Sequence, residues 1–121
     1  ESRPLPVFGD GTQMRDFTYI DDIARGTVQA EKLNGFEIIN LGNNKPHKLK
    51  ELISLIEKLL GKKARIKKES FERSDMKSTW ADIHKAERLL GWKPEVTLEE
   101  GIEKTIAWFR ENQELVRRLK I

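Results

Sequence analysis

The chain has 121 residues, room for one compact domain rather than two. Its 37% hydrophobic content permits only a modest core, no run is apolar for long enough to span a membrane, and the lack of cysteine excludes disulfides, thiolate metal sites and a cysteine nucleophile. A net charge of +3 could suit an anionic ligand, but with 36% charged residues of both signs interleaved a solvated mixed-charge surface is the favoured reading. The N-terminal "ESRPLPVFGD" carries no apolar leader run, which together with the missing cysteines fits a cytoplasmic protein.

Residues 3–12, "RPLPVFGDGT", read as a short extended segment closed by a turn, because two prolines forbid helix and Gly9 and Gly11 flank Asp10. "FTYI" at 17–20 is β-branched and aromatic, the composition of a short strand. Asp21 or Asp22 is placed to cap a helix running to about Leu33, with Asn34-Gly35 ending it. "FEIINLG" at 36–42 is almost continuously apolar, which predicts a central strand buried on both faces.

After the loop "GNNKPHK", an amphipathic helix is predicted from Lys48 to Leu60, its apolar face set by Leu49, Leu52, Ile53, Ile56, Leu59 and Leu60, with Gly61 as its stop. "ARIKK" at 64–68 is a candidate edge strand and "ESFERSDMKSTW" a polar loop. Asp82 caps a short helix ending at Leu90-Gly91. Thr97 and Glu100 have capping-box spacing for a last helix from Leu98, with Ile102, Ile106, Phe109, Leu115 and Leu119 on its apolar side. Strands alternating with about four helices predict a mixed α/β domain with a small sheet.

Little catalytic chemistry is visible. Gly9-Asp10-Gly11 is the only G-x-G, but position 14 is Met, so the dinucleotide fingerprint fails and a tight turn remains. Tyr19 is the only tyrosine and position 23 is Ile, so no Tyr-x-x-x-Lys pair exists in this chain. His47 and His84 lie far apart with no third ligand at metal spacing, and no serine has a nucleophile-elbow context. Trp80 and Trp92 read as core residues. Arg15 follows the glycine turn and precedes a strand, where a guanidinium can make a two-pronged phosphate contact; alternatively it pairs with Asp16 or Asp10. Arg73 and Asp75 lie in the polar loop, as the other half of a site or as loop charges.

Three segments taken together, "PVFGDGTQMRDFTYIDDIARG", "INLGNNKPHKLKELISLIEKLLGK" and "DMKSTWADIHKAERLLGWKPEVTLEEGIEKTIAWFREN", resemble the C-terminal part of NAD-dependent nucleotide-sugar epimerases and dehydratases. These are extended short-chain dehydrogenase/reductases, and the resemblance is nearest to the UDP-glucose and UDP-glucuronate 4-epimerase branch. It implies that residues 1–121 are a C-terminal nucleotide-sugar-binding domain whose N-terminal NAD-binding domain, with the glycine loop and the Tyr-x-x-x-Lys pair, lies upstream. The helix within "RDFTYIDDIARG" and the "INLG" strand would pack against that domain.

By the same resemblance, the whole enzyme oxidises a sugar hydroxyl with NAD, lets the keto-sugar rotate and returns hydride to the other face. This chain binds no cofactor and does no catalysis alone. Arg15 matches the arginine that contacts the ligand's pyrophosphate, Pro6 and Phe8 line the base pocket, Asp75 lies near the ribose, and His47 touches the base. The family's Arg-x-Gly-Asp would put arginine at position 72; here Glu72 is followed by Arg73 and Ser74, so Arg73 serves as the second phosphate contact if the loop shifts by one residue. The expected partners are a UDP-sugar and the N-terminal domain, with a homodimer or self-association, and neither nucleic acid nor membrane. The rival reading from composition is a small basic α/β module that binds RNA or a protein.

Overall fold

The computed structural model describes residues 3–71 and 76–119. Strand β1 (Leu5–Phe8) is followed by β2 (Met14–Arg15), helix α1 (Ile20–Ala30), β3 (His47–Lys48), α2 (Leu49–Leu60), β4 (Ile66–Glu69), α3 (His84–Leu90), α4 (Leu98–Glu111) and α5 (Gln113–Arg118). The strands form two separate two-stranded ladders. β1 pairs parallel with β4, Leu5 opposite Ile66, and β2 pairs antiparallel with β3, Arg15 opposite His47. The mixed α/β class expected from the sequence holds, with five helices among the described residues where about four were expected. None of these helices is long and apolar enough to cross a membrane.

Elements specified by neighbouring residues form where the sequence places them. α2 ends at Gly61, whose φ of 63° lies in the left-handed region open to glycine. α4 opens on the reciprocal Thr97–Glu100 capping box. Asp82 takes the His84 N–H at 3.0 Å from one position ahead of the N-cap, Ile83. The last helix is broken in two at Asn112, whose side-chain amide donates to the Trp108 carbonyl at 2.8 Å and competes with the helical ladder. Leu115 and Leu119 therefore stand exposed on or beside the short α5 instead of continuing the α4 face.

Two strands do not form. Residues 17–19 are irregular and Ile20 already opens α1. Residues 36–42 carry no strand, and Phe36 and Ile38 are 86% and 71% exposed. A β-branched run becomes a strand only when a neighbour accepts its ladder, and the described residues offer none at either place. Neither aspartate caps α1: its N-cap is Tyr19, without a side-chain bond, and Asp22 turns inward, 2% exposed. α1 also stops at Ala30, its last turn tightened by i→i−3 bonds up to Leu33.

The core is small and one-sided. Ile83, Ala86 and Trp92 pack together, with Ile39, Leu41, Ala81 and Leu90 against them, and α1 lies over α3. Gly26 of α1 makes this possible, since a Cβ there would sit 2.8 Å from both Leu41 methyls and from Trp92 Nε1. Trp92 is the core residue expected; Trp80 is not, being 56% exposed at the edge of a cleft.

Candidate functional site

The glycine turn after β1 is built by its own residues. Gly9 and Gly11 take φ of 77° and 76°, and the Asp10 carboxylate accepts from the backbone and hydroxyl of Thr12. Those bonds, the hydroxyl's first, hold the Asp10 carboxyl below its ordinary value. The carbonyls of Gly11 and Gln13 accept the N–H groups of Lys50 and Leu49 at 2.9 and 3.0 Å. The turn thus presents oxygens to the start of α2, the reverse of a phosphate cradle, which presents N–H groups. These residues do not fit a dinucleotide.

The turn delivers the chain into β2, and antiparallel pairing sets Arg15 opposite His47 on one face of the ribbon. The Arg15 Nη1 donates to the carbonyls of Met14 and Met76, both at 2.8 Å. Asp10 and Asp16, proposed from sequence as its ion partners, direct their carboxylates elsewhere: Asp10 to Thr12, and Asp16 to the backbone N–H groups of Asn43, Asn44 and Ala81. Arg15 lines a polar cleft of about 520 Å³ with Asp16, Thr18, Thr79 and Trp80. A second cleft of about 530 Å³, between Gly9, Gln13, Met14, Phe71 and Ser78, adjoins it along the 77–81 segment.

Pro6 and Phe8 occupy alternate positions of β1 and both are exposed, while Val7 between them is buried. The Gln13 side chain ties the end of this strand to the start of β2 by donating to the Phe8 carbonyl at 2.9 Å. The structure therefore brings Arg15 and His47 side by side and links Phe8 to the same ribbon. His47 Nδ1 lies 3.9 Å from the Glu51 carboxylate, beyond hydrogen-bond range. Arg73 and Asp75 lie outside the described residues; Met76, where description resumes, is the residue whose carbonyl Arg15 holds.

Two aspartates that the sequence reading assigned to pairing or capping are structural anchors. Asp16 binds the three N–H groups just named, at 3.0, 3.0 and 3.1 Å. Asn43 and Asn44 thus direct consecutive N–H groups toward one carboxylate, and the chain leaves the turn through Asn44 at a φ of 52°. Asp22 accepts from the N–H groups of Glu95 and Val96 and from Arg25. Burial pushes the Asp22 carboxyl up, but the Val96 N–H, the Arg25 guanidinium and the Glu95 N–H outweigh it and hold it below its ordinary value. Arg25 in turn caps the Lys93 carbonyl and lies over the Trp92 ring. The one sequence signal for Asp16 was the pair Asn43-Asn44 after Gly42, residues that tolerate such a turn. No group of three metal-ligating side chains occurs among the described residues.

Residues 1–105 match the family model described as GDP-mannose 4,6 dehydratase. The UDP-glucuronate 4-epimerase of Thermodesulfobacterium geofontis is 52% identical over 122 residues, covering 100% of this chain and 38% of that protein. Among solved structures, the UDP-glucuronic acid 4-epimerase from Bacillus cereus, in complex with UDP-glucuronic acid and NAD, superposes with a TM-score of 0.77 at 45% identity, over 84% of this chain and 33% of that one. The UDP-glucose 4-epimerase of Thermotoga maritima with UDP-glucose gives a TM-score of 0.85 at 29% identity, over 93% and 36%. The chain thus spans little more than a third of the length of such relatives.

Proposed function

The chain belongs to the GDP-mannose 4,6 dehydratase family, among NAD-dependent nucleotide-sugar epimerases, and from that premise we propose that it is the nucleotide-sugar-binding lobe of a UDP-sugar 4-epimerase. The observation that carries this reading is Arg15, a guanidinium locked onto two carbonyls at the edge of a polar cleft, in register with His47. Such a group binds and orients a diphosphate; it neither gives nor takes a proton. Phe8 and Pro6 supply an exposed apolar edge for a base. The lobe's contribution is positioning, and the redox step is not assigned to it, since the Gly9–Gly11 turn does not fit a dinucleotide.

The same reading makes residues 36–42 and α1 the face that meets the NAD-binding domain. Support comes from the apolar side chains left on it: Phe36 and Ile38, with Ile20 and Val28 of α1 at 66% and 67% exposure.

The test is calorimetric titration of the chain with UDP and with UMP, for wild type, Arg15→Ala and Arg15→Lys. Wild type prefers UDP. Arg15→Ala loses about ten- to a hundredfold in UDP affinity, the equivalent of a charge-assisted hydrogen bond of about 1.5–3 kcal/mol. Arg15→Lys recovers part of that, because a point charge lacks the planar fork. Unchanged UDP affinity in Arg15→Ala with an unchanged urea midpoint overturns the assignment.

A further inference from the structure

The three residues 14–16 suspend the whole 76–81 segment. Met14 N–H donates to Lys77 O at 2.9 Å, Thr79 N–H to Met14 O at 3.2 Å, Arg15 Nη1 to Met76 O at 2.8 Å, and Ala81 N–H to Asp16 Oδ2 at 3.1 Å. Asp16 does one thing more: it also holds the 43–44 turn, so a single carboxylate joins three segments far apart in sequence. Two of these segments wall the polar cleft that contains Arg15, and the turn leads directly to His47. The joint has no slack. A Cβ on Gly42 would lie 2.5 Å from the Ala81 Cβ and 2.8 Å from Asp16 Oδ2.

Consecutive N–H groups turned to one side make a concavity for an anion. Here the chain's own Asp16 fills that concavity. A phosphate is therefore kept off the 43–44 turn and left to the Arg15 face of the ribbon.

We propose that Asp16 is the positioning residue of the diphosphate site: by filling the Asn43–Asn44 turn and holding Ala81, it fixes the cleft wall across from Arg15 and so sets the preference for a second phosphate. This rests on the reading of the lobe as a UDP-sugar site. Asp22 provides a built-in control, because it too binds backbone N–H groups, yet it anchors Arg25 and the 95–96 loop and does not line the Arg15 cleft.

The experiment measures the ratio of UDP to UMP affinity by calorimetry in wild type, Asp16→Asn and Asp22→Asn, with melting temperatures alongside. Both variants melt lower. Only Asp16→Asn lowers the ratio, by about five- to tenfold; a merely structural role would leave the ratio where Asp22→Asn leaves it. A second measurement needs no variant: amide exchange of Asn43, Asn44 and Ala81 in wild type slows with UDP more than with UMP at equal saturation. An unchanged ratio in folded Asp16→Asn overturns the proposal while leaving the UDP site standing, as does exchange at these three amides that does not distinguish the nucleotides. A wild-type chain without preference for UDP overturns the site and this proposal together.

Discussion

Trp92 and Phe36 are both large aromatic residues outside the helices and strands, yet one is 0% exposed and the other 86%. Trp92 is enclosed by Ile83 and Ala86, its indole N–H donates to the Asp22 carbonyl at 2.9 Å, and Arg25 lies over its ring. Phe36 begins a run whose sequence is more apolar than anything around Trp92, and it meets little. Burial is decided by what the rest of the chain can bring to a residue, and hydrophobicity only sets the value of the meeting. The Trp92 region gathers its own cover, Ile39 and Leu41 included, while Phe36 and Ile38 of the same 36–42 run are left facing out.

The sharpest way to break the contrast is to empty its buried side. Trp92→Ala costs about 3–5 kcal/mol by loss of a fully buried ring, read as a lower urea midpoint. Gly26→Ala forces a methyl into the 2.8 Å gap against Leu41 and Trp92 and costs about 1–3 kcal/mol through overpacking; the same melt checks it.

Asp22→Asn comes next, at about 1–3 kcal/mol near neutral pH, and it carries a pH signature. The folded carboxyl titrates below its ordinary value of 3.8, so its contribution is complete above that value and lost as pH falls through the lower, folded one. Wild type therefore destabilises on acidification below about 4, and Asp22→Asn flattens that limb; identical acid profiles refute the clamp. At the small end, Phe36→Ser changes stability by no more than about 0.5 kcal/mol. Its readout is association: light scattering at high concentration shows wild type self-associating through its exposed apolar run and the Phe36→Ser, Ile38→Ser double variant shifted toward the 14.1 kDa monomer.

What could be read beforehand follows the same division. α2 and its Gly61 stop, the Thr97–Glu100 box and the β4 segment were legible because each is specified within a few residues. The strand expected at 36–42 was not wrong in composition; it lacks the second strand that a ladder requires. Asp22 was read as a cap because the Glu95 and Val96 N–H groups it serves are more than seventy positions away. Within the proposed site, the turn that leads into Arg15 was legible from Gly9 and Gly11, but the register of Arg15 with His47 depends on a ladder between distant segments, and Asp16, hinted at only by Asn43-Asn44, serves N–H groups 27 and 65 positions away.

The parallel pairing of β1 with β4 has a consequence for how the chain is made. Parallel strands cannot be closed by a tight turn, and the partner of Leu5, Ile66, is synthesised about sixty positions later. At about 5–20 residues per second, the ribosome leaves β1 waiting roughly 3–12 s for its mate. During that interval the Leu5 and Gly9 N–H groups, which end on the carbonyls of Arg65 and Glu69, belong to an emerging segment with no ladder. The nascent chain passes through a stage at which the 9–13 turn and α2 can already have met while the strand that leads into them is still open to a chaperone.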